Sequence, residues 1–256
     1  VVTGACGILG TVFSRALARA GAKVIATDLG EERVNALANE ISKETGVQAE
    51  GAAVDLRSEQ SVKSWAGALL SKHPSIDVIV NNAATKSPSF FAPLKDFSLE
   101  DWNEVFSVNV GGMFLVIREL GPSMAEKGSG SIINISSIYG VVGPDQRIYE
   151  GSRYEAMGGA INTPLVYSAS KGAVISMTRY LAAYWGAKGV RANTLTPGGV
   201  SSGQNDTFVE KYSNRVPLGR MAKKDELTGA LLFLASDASS YVNGQNIIVD
   251  GGLTAW

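Results

Sequence analysis

At 256 residues the chain is long enough for one large domain, 1–256, with a well-buried core, and 45% hydrophobic with 18% charged residues is the composition of an ordinary globule. A formal charge of −1 offers no field to attract nucleic acid or an anionic membrane, and a single cysteine (Cys6) and a single histidine (His73) leave neither an internal disulfide nor an ordinary zinc site, so no metal is expected. With no apolar run of about 18 residues and no signal pattern, a soluble, cytoplasmic protein acting on small molecules is expected, and 29 glycines suggest tight turns and a glycine-rich loop.

Short β-branched runs alternate with longer helical patterns from the first residue. VVT (1–3) leads into a helix through Ala20, and KVIATD (23–28) into one beginning near Glu31. AEGAAVD, a helix around Trp65 and IDVIVNN follow, then a long helix over about 99–127 and the strand SIINIS. A helix over about 165–188, the strand VRANTLT and the late strand QNIIVD complete an α/β chain of seven strands, a doubly wound parallel sheet with helices on both faces. Three residues span only roughly 10 Å, short for a central strand, so a few residues are expected before Val1. The longest stretches without a predicted element, 140–164 and 198–216, are expected to be loops, functional or mobile.

TGACGILG (3–10) stands where the first strand meets the first helix. Gly4, Gly7 and Gly10 let backbone approach a pyrophosphate, and the helix start at Ile8 and Leu9 offers free N–H donors. Asp28 closes the second strand 24 residues after Gly4, where a carboxylate accepts hydrogen bonds from the adenosine ribose of NAD. The same charge repels the 2′-phosphate of NADP by up to ~4 kcal/mol. NAD is therefore expected over NADP, although Arg33 lies close by in the sequence.

Hydride transfer from an alcohol needs a base for the hydroxyl proton, and a tyrosine suits neutral pH only beside a positive charge. Tyr167 and Lys171, in YSASK, are i and i+4 on one helix face. The second such pair, Tyr184 and Lys188, lies about 25 Å further along the same helix and is expected at the surface. GVSSG (199–203) matches a hydrolase pattern, but no histidine follows it. His73, before Pro74, reads as a solvated helix cap, and Cys6 as a small residue of the phosphate loop.

Ordered motifs then give a resemblance: TGACGILG, VDL (54–56), NNAA (81–84), VNV around Asn109, NISS (134–137), YSASK, TPGGV (196–200) and PLGRM…FLASD…VNGQNIIVDGG. Together they resemble a short-chain dehydrogenase/reductase of the roughly 250-residue branch over residues 1–252. The family's usual TGxxxGxG would place its middle glycine at Ile8; here it is Gly7. The resemblance implies a Rossmann-type fold, an NAD(P)-dependent oxidoreductase acting on a secondary alcohol or ketone, and a homo-oligomer, dimer or tetramer, built through the long helices. It implies Tyr167 as acid/base, Lys171 tuning it and holding the nicotinamide ribose, Ser137 (with Ser136 as the competing choice) on the substrate oxygen, and Asn109 holding a relay water. It also places Asp55 and Leu56 beside the adenine, Asn82 and Ala83 under the adenosine half, and Pro197, Gly198 and Val200 near the nicotinamide.

Ser137 and Tyr167 stand 30 residues apart, a longer interval than the resemblance leads one to expect. The insertion, about 141–164, would emerge where ligands enter a parallel sheet, and it is rich in polar residues. It is expected to shape a polar, sugar-like or hydroxy-acid substrate site, with Arg147 and Arg153 as anchors, or else to be a solvated lid or subunit contact. It resembles, less specifically, dehydrogenases of bacterial surface-sugar synthesis. The alternatives from other classes are a dinucleotide-sensing protein without turnover and a non-redox sugar epimerase or dehydratase using bound NAD.

Overall fold

A computed structural model describes residues 1–155 and 159–256, so residues 156–158 of the insertion lie outside the described residues. In chain order, β1 (Val2–Thr3), α1 (Ile8–Arg19), β2 (Val24–Asp28), α2 (Glu31–Thr45), β3 (Ala49–Ala53), α3 (Glu59–Lys72) and β4 (Val78–Asn81) form the first half. The second half comprises α4 (Leu99–Phe106), α5 (Met113–Lys127), β5 (Gly130–Ile135), β6 (Arg153–Tyr154), β7 (Gly159–Ala160), α6 (Leu165–Trp185), β8 (Val190–Pro197), α7 (Asp206–Ser213), α8 (Thr228–Ala235) and β9 (Asn246–Val249). Seven strands make one parallel sheet in the order β3-β2-β1-β4-β5-β8-β9, while β6 and β7 pair as a separate antiparallel hairpin.

A sheet covered on both faces needs strands that are apolar on both sides. In β5 Ile132 and Ile133 point to opposite faces, and both are fully buried. Trp65 of α3, Leu120 of α5 and Val174 of α6 share one core, whereas Phe13 of α1, Ile41 of α2 and Leu231 of α8 share the other. A buried polar chain then fixes α6 on the sheet. Asn81 donates to Asn134 at 2.8 Å, Asn134 to Thr178 at 2.9 Å, and Thr194 to Thr178 at 2.9 Å, linking β4, β5, α6 and β8. Such a network holds one geometry, because any slip of α6 leaves buried donors unpaired.

Three expectations need correction. The helix over 99–127 is α4 and α5 joined by a π-turn, Ser107–Gly112, that contains Asn109. Apolar periodicity does not reveal a change from i→i+4 to i→i+5 bonding. Residues 198–216 contain α7, eight residues long and capped by Asn205, whose side chain accepts the Phe208 N–H; a helix of two turns is too short to show a period. Residues 140–164 are structured as well. They form a 3₁₀ turn, Gln146–Tyr149, and the β6–β7 hairpin, and Ile148 packs with Phe208 and Tyr212 of α7 in a third apolar cluster.

Candidate active site

The carboxyl ends of β1, β2, β4, β5 and β8 open onto a cleft of about 560 Å³ at the point where the strand order reverses. Gly4 sits at φ +61°, and a Cβ there would lie 2.7 Å from the Ala83 Cα; a Cβ on Gly10 would overlap the Gly4 carbonyl oxygen. Only glycine fits either position, so the loop lies flat against β4. Gly7, with Ile8 following, caps α1 without a side-chain acceptor, which leaves the first N–H groups of the helix to a ligand. Gly7, Ile8 and Leu9 all line the cleft. This cradle fits the pyrophosphate of a dinucleotide, the helix terminus supplying donors and partial positive charge.

Asp28 locks the loop to β2: its Oδ2 accepts the Cys6 N–H at 3.0 Å and its Oδ1 the Leu29 N–H at 2.8 Å. Arg33 reaches the same rim and donates to the Cys6 carbonyl at 3.3 Å. Asp55 is gripped by Arg57 at 3.0 and 2.9 Å, a pair that holds its carboxyl below the usual range, and Leu56 lies beside it in the cleft wall. Asn82 donates from Nδ2 to the carbonyls of Thr3 and Gly4, 3.0 Å each, and Ala83 N–H donates to Thr3 Oγ1 at 3.1 Å. Asn82 thus clamps the phosphate loop as well as lining the cleft. Pro197, Gly198 and Val200 form the opposite wall.

Ser137, Tyr167 and Lys171 meet at the inner end of the cleft. Burial raises the pKa of the Tyr167 phenol, and Ser137 beside it pulls the other way. Ser136 takes a different part: its hydroxyl donates to the Lys171 carbonyl at 2.8 Å and ties β5 to α6. Lys171 Nζ donates to the Ile135 carbonyl at 2.9 Å and lies 5.8 Å from the centre of the Tyr167 ring. Burial lowers its pKa to about 8. Asn109 Oδ1 accepts the Thr85 N–H at 2.9 Å and its Nδ2 donates to Ser170 Oγ at 3.1 Å, so its side chain fixes the loop after β4 and the start of α6. Tyr184 of the second tyrosine–lysine pair is exposed and stacks on Tyr180. His73 caps α3 as expected, partly exposed at 16%, with its Nε2 3.2 Å from Glu50 Oε2.

Beyond Ser137 and Tyr167 lies a chamber of about 160 Å³. Its walls include Tyr139, Tyr149 and Thr163 from β5 to α6, and Phe208, Tyr212 and Met221 from α7 and after. The insertion does reach this chamber, through Tyr149 and Thr163, but its two expected arginines do not. Arg147 is 85% exposed and paired with Asp145, and Arg153 is 65% exposed and pairs with Glu155 at 4.0 Å. Composition shows which polar groups a segment holds, not which way they turn. Tyr139 was legible, two residues past Ser137; Tyr212, four past Phe208, only with α7 recognised.

A family model described as "Enoyl-(Acyl carrier protein) reductase" matches residues 4–254. D-threitol dehydrogenase of Mycolicibacterium smegmatis is 34% identical over 262 residues, 99% of this chain and 92% of that protein. The crystal structure of a gluconate 5-dehydrogenase from Burkholderia cenocepacia, in complex with NADP and tartrate, superposes with a TM-score of 0.87 at 34% identity, covering 100% of this chain and 94% of that one. A short-chain dehydrogenase from Leptospira borgpetersenii with bound NAD⁺ gives 0.85 at 33% identity, over 99% and 91%. With the glycine cradle and the serine–tyrosine–lysine cluster carried on the same sheet, the chain belongs to the short-chain dehydrogenase/reductase family and is an NAD(P)-dependent oxidoreductase.

Proposed function

We propose that the protein interconverts a secondary alcohol and a ketone on a small, polar, hydroxyl-rich substrate, with Tyr167 as acid/base. The observation that carries this reading is the convergence of Ser137 and Tyr167 where the cofactor cleft, with Lys171 in its wall, meets a small chamber lined with hydroxyls. The Gly4–Gly10 cradle and Asp28 would hold the dinucleotide, whose nicotinamide, when bound, accepts the hydride from the alcohol carbon. Ser137 orients the substrate oxygen, and Tyr167 removes its proton as the carbonyl forms or returns it in reduction. The Lys171 ammonium favours the phenolate and offers donors to the nicotinamide ribose. Asn109 keeps α6 and the loop after β4 in register through Ser170 and Thr85.

For the cofactor, the Asp28 carboxylate at the end of β2 supports NAD over NADP, with Arg33 on the same rim as a cation that would soften the preference. The chamber's hydroxyls and the 34% identity to a threitol dehydrogenase support a polyol-like substrate over a long acyl chain.

The test is Tyr167→Phe on a panel of polyols, keto-sugars and sugar acids. The ring still packs edge-on against Phe90 with centroids 6.3 Å apart, so the fold and NADH titration should be retained. Turnover should fall by about 10²–10⁴-fold, the usual contribution of a positioned proton carrier. Wild-type activity in Tyr167→Phe would remove it from the reaction, and tighter wild-type binding of NADPH than NADH would overturn the role given to Asp28.

A further inference from the structure

Three hydroxyls form a chain beside Ser137 and Tyr167. Tyr149 Oη lies 3.1 Å from Tyr139 Oη and 2.5 Å from Thr163 Oγ1, and all three residues line the chamber. Each hydroxyl owns one proton, and the chain contains two mutual hydrogen bonds. Tyr149 donates to Tyr139, so Thr163 donates to Tyr149, and the Tyr139 O–H at the end of the chain is left to donate elsewhere. Tyr212 adds another: its oxygen accepts the Gly199 N–H, and its own proton meets no acceptor among the described residues. Burial raises the pKa of Tyr139, Tyr149 and Tyr212, so all three remain protonated donors at neutral pH.

The chamber's charge is as informative as its donors. None of its lining residues is cationic. Lys171 stands in the wall of the cofactor cleft and donates to the Ile135 carbonyl, Lys86 lies over the rings of Phe90 and Phe91 and is not among the lining residues, Arg147 and Arg153 face outward, and Arg215, whose charge reaches Tyr139 and Tyr212 from behind the wall, is paired with Asp145 at 2.5 Å. A carboxylate placed in the chamber would lose its hydration without a counter-charge, which is far more costly than desolvating a hydroxyl that finds a donor.

We infer that the substrate is an uncharged polyol or the corresponding ketose, and that the Tyr139–Tyr149–Thr163 chain reads a second substrate oxygen beyond the reacting carbon. Tyr149, carried by the insertion, is the specificity-determining residue. This rests on the alcohol–ketone reading above.

The experiment compares threitol, gluconate and 2-butanol on wild type, Tyr149→Phe and Thr163→Val, with NADH titration of each protein. In the wild type, kcat/KM for threitol should exceed that for gluconate and for 2-butanol by at least about tenfold. Tyr149→Phe keeps the ring stack on Phe208, centroids 5.7 Å apart, and removes only the hydroxyl. It should lower the threitol-to-butanol ratio of kcat/KM about tenfold, mainly through KM, with NADH binding unchanged. The ratio is independent of how much of a variant is folded, and Thr163→Val reads the other end of the chain if Tyr149→Phe does not fold. A wild type that prefers gluconate to threitol, or an unchanged ratio in both variants, would overturn the inference while leaving the oxidoreductase reading intact. A wild type that binds NADH but oxidises no alcohol would instead overturn the functional reading, and the inference with it.

Discussion

The Lys171 side chain is 4% exposed, donates to the Ile135 carbonyl oxygen and has no carboxylate beside it among the described residues. Burial alone lowers its pKa from 10.5 to about 8. Because the folded value lies below the unfolded one, the cost is fully present below pH 8, where both states hold the proton. Between pH 8 and 10.5 the unfolded chain still holds a proton that the folded protein has released, so stability rises with pH there. The buried tyrosines act in the opposite sense but only above pH 10, since their folded values are raised. Urea unfolding of the cofactor-free protein should therefore show wild type gaining about 2 kcal/mol relative to Lys171→Met between pH 7.5 and 9.5, while Lys171→Met is the more stable at pH 7.5 and without turnover. A parallel pH dependence in the two proteins would show that the ammonium is not desolvated. The same burial has a kinetic consequence. Tyr167 is mostly protonated at neutral pH, so alcohol oxidation should rise with pH and ketone reduction should not.

At the scale of elements, the insertion is attached to α7 by a charged contact. Asp145 accepts from Arg147 at 2.8 and 2.9 Å and pairs with Arg215 at 2.5 Å, just past the end of α7. Arg147, then Arg215, hold its pKa at about 2, so the contact stays ionised wherever the enzyme would be assayed. Arg215 joins two elements, whereas Arg147 and Arg153 turn to solvent. Arg147→Ala and Arg153→Ala should leave kinetics within about twofold, as exposed substitutions usually do. Arg215→Ala should raise KM for the substrate by several-fold with NADH binding retained, because Tyr149 and Phe208 face each other across that joint. Equal effects from Arg147→Ala and Arg215→Ala in steady-state assays would refute the distinction. These elements also mark where the sequence was legible. The seven strands, the Gly4 and Gly10 cradle and the YSASK helix all express local patterns: runs of apolar residues, steric need for glycine, a four-residue spacing. The fate of the insertion depends on tertiary contact. Ile148 and Tyr149 fold inward because α7 offers Phe208 and Tyr212, and α7 is two turns long with an Asn205 cap as its one clear signal. The polar character of 141–164 was read correctly, but its arginines face solvent and its phenol and threonine line the site.

At the scale of the whole molecule, α5 and α6 present large side chains to solvent. Phe114 is 50% exposed beneath the Arg118 guanidinium, and Tyr180 and Tyr184, 66% and 60% exposed, stack with centroids 5.7 Å apart. The two helices meet where Gly121 faces the Trp185 ring, and Tyr184 packs on that ring with centroids 5.5 Å apart. Single exposed apolar groups are ordinary, but several on one packed pair mark an interaction surface, and a two-fold axis lets one patch cover its own copy. Burying each aromatic is worth on the order of 2 kcal/mol, and placing a carboxylate there reverses the sign. The protein is therefore expected to associate through α5 and α6, and Phe114→Glu with Tyr184→Glu to shift it to monomer in sedimentation at micromolar concentration. Residues of one chain already line the cleft from Gly4 and Asp28 to Lys171 and Val200, so that monomer should still bind NADH. The catalytic end is less independent: the Asn109–Ser170 bond ties the π-turn before α5 to the start of α6. Turnover should fall in the double variant more than NADH affinity does. A wild type already monomeric at these concentrations, or a double variant that remains associated, would move the interface elsewhere, the exposed Tyr241 and Trp256 being the next surface to alter.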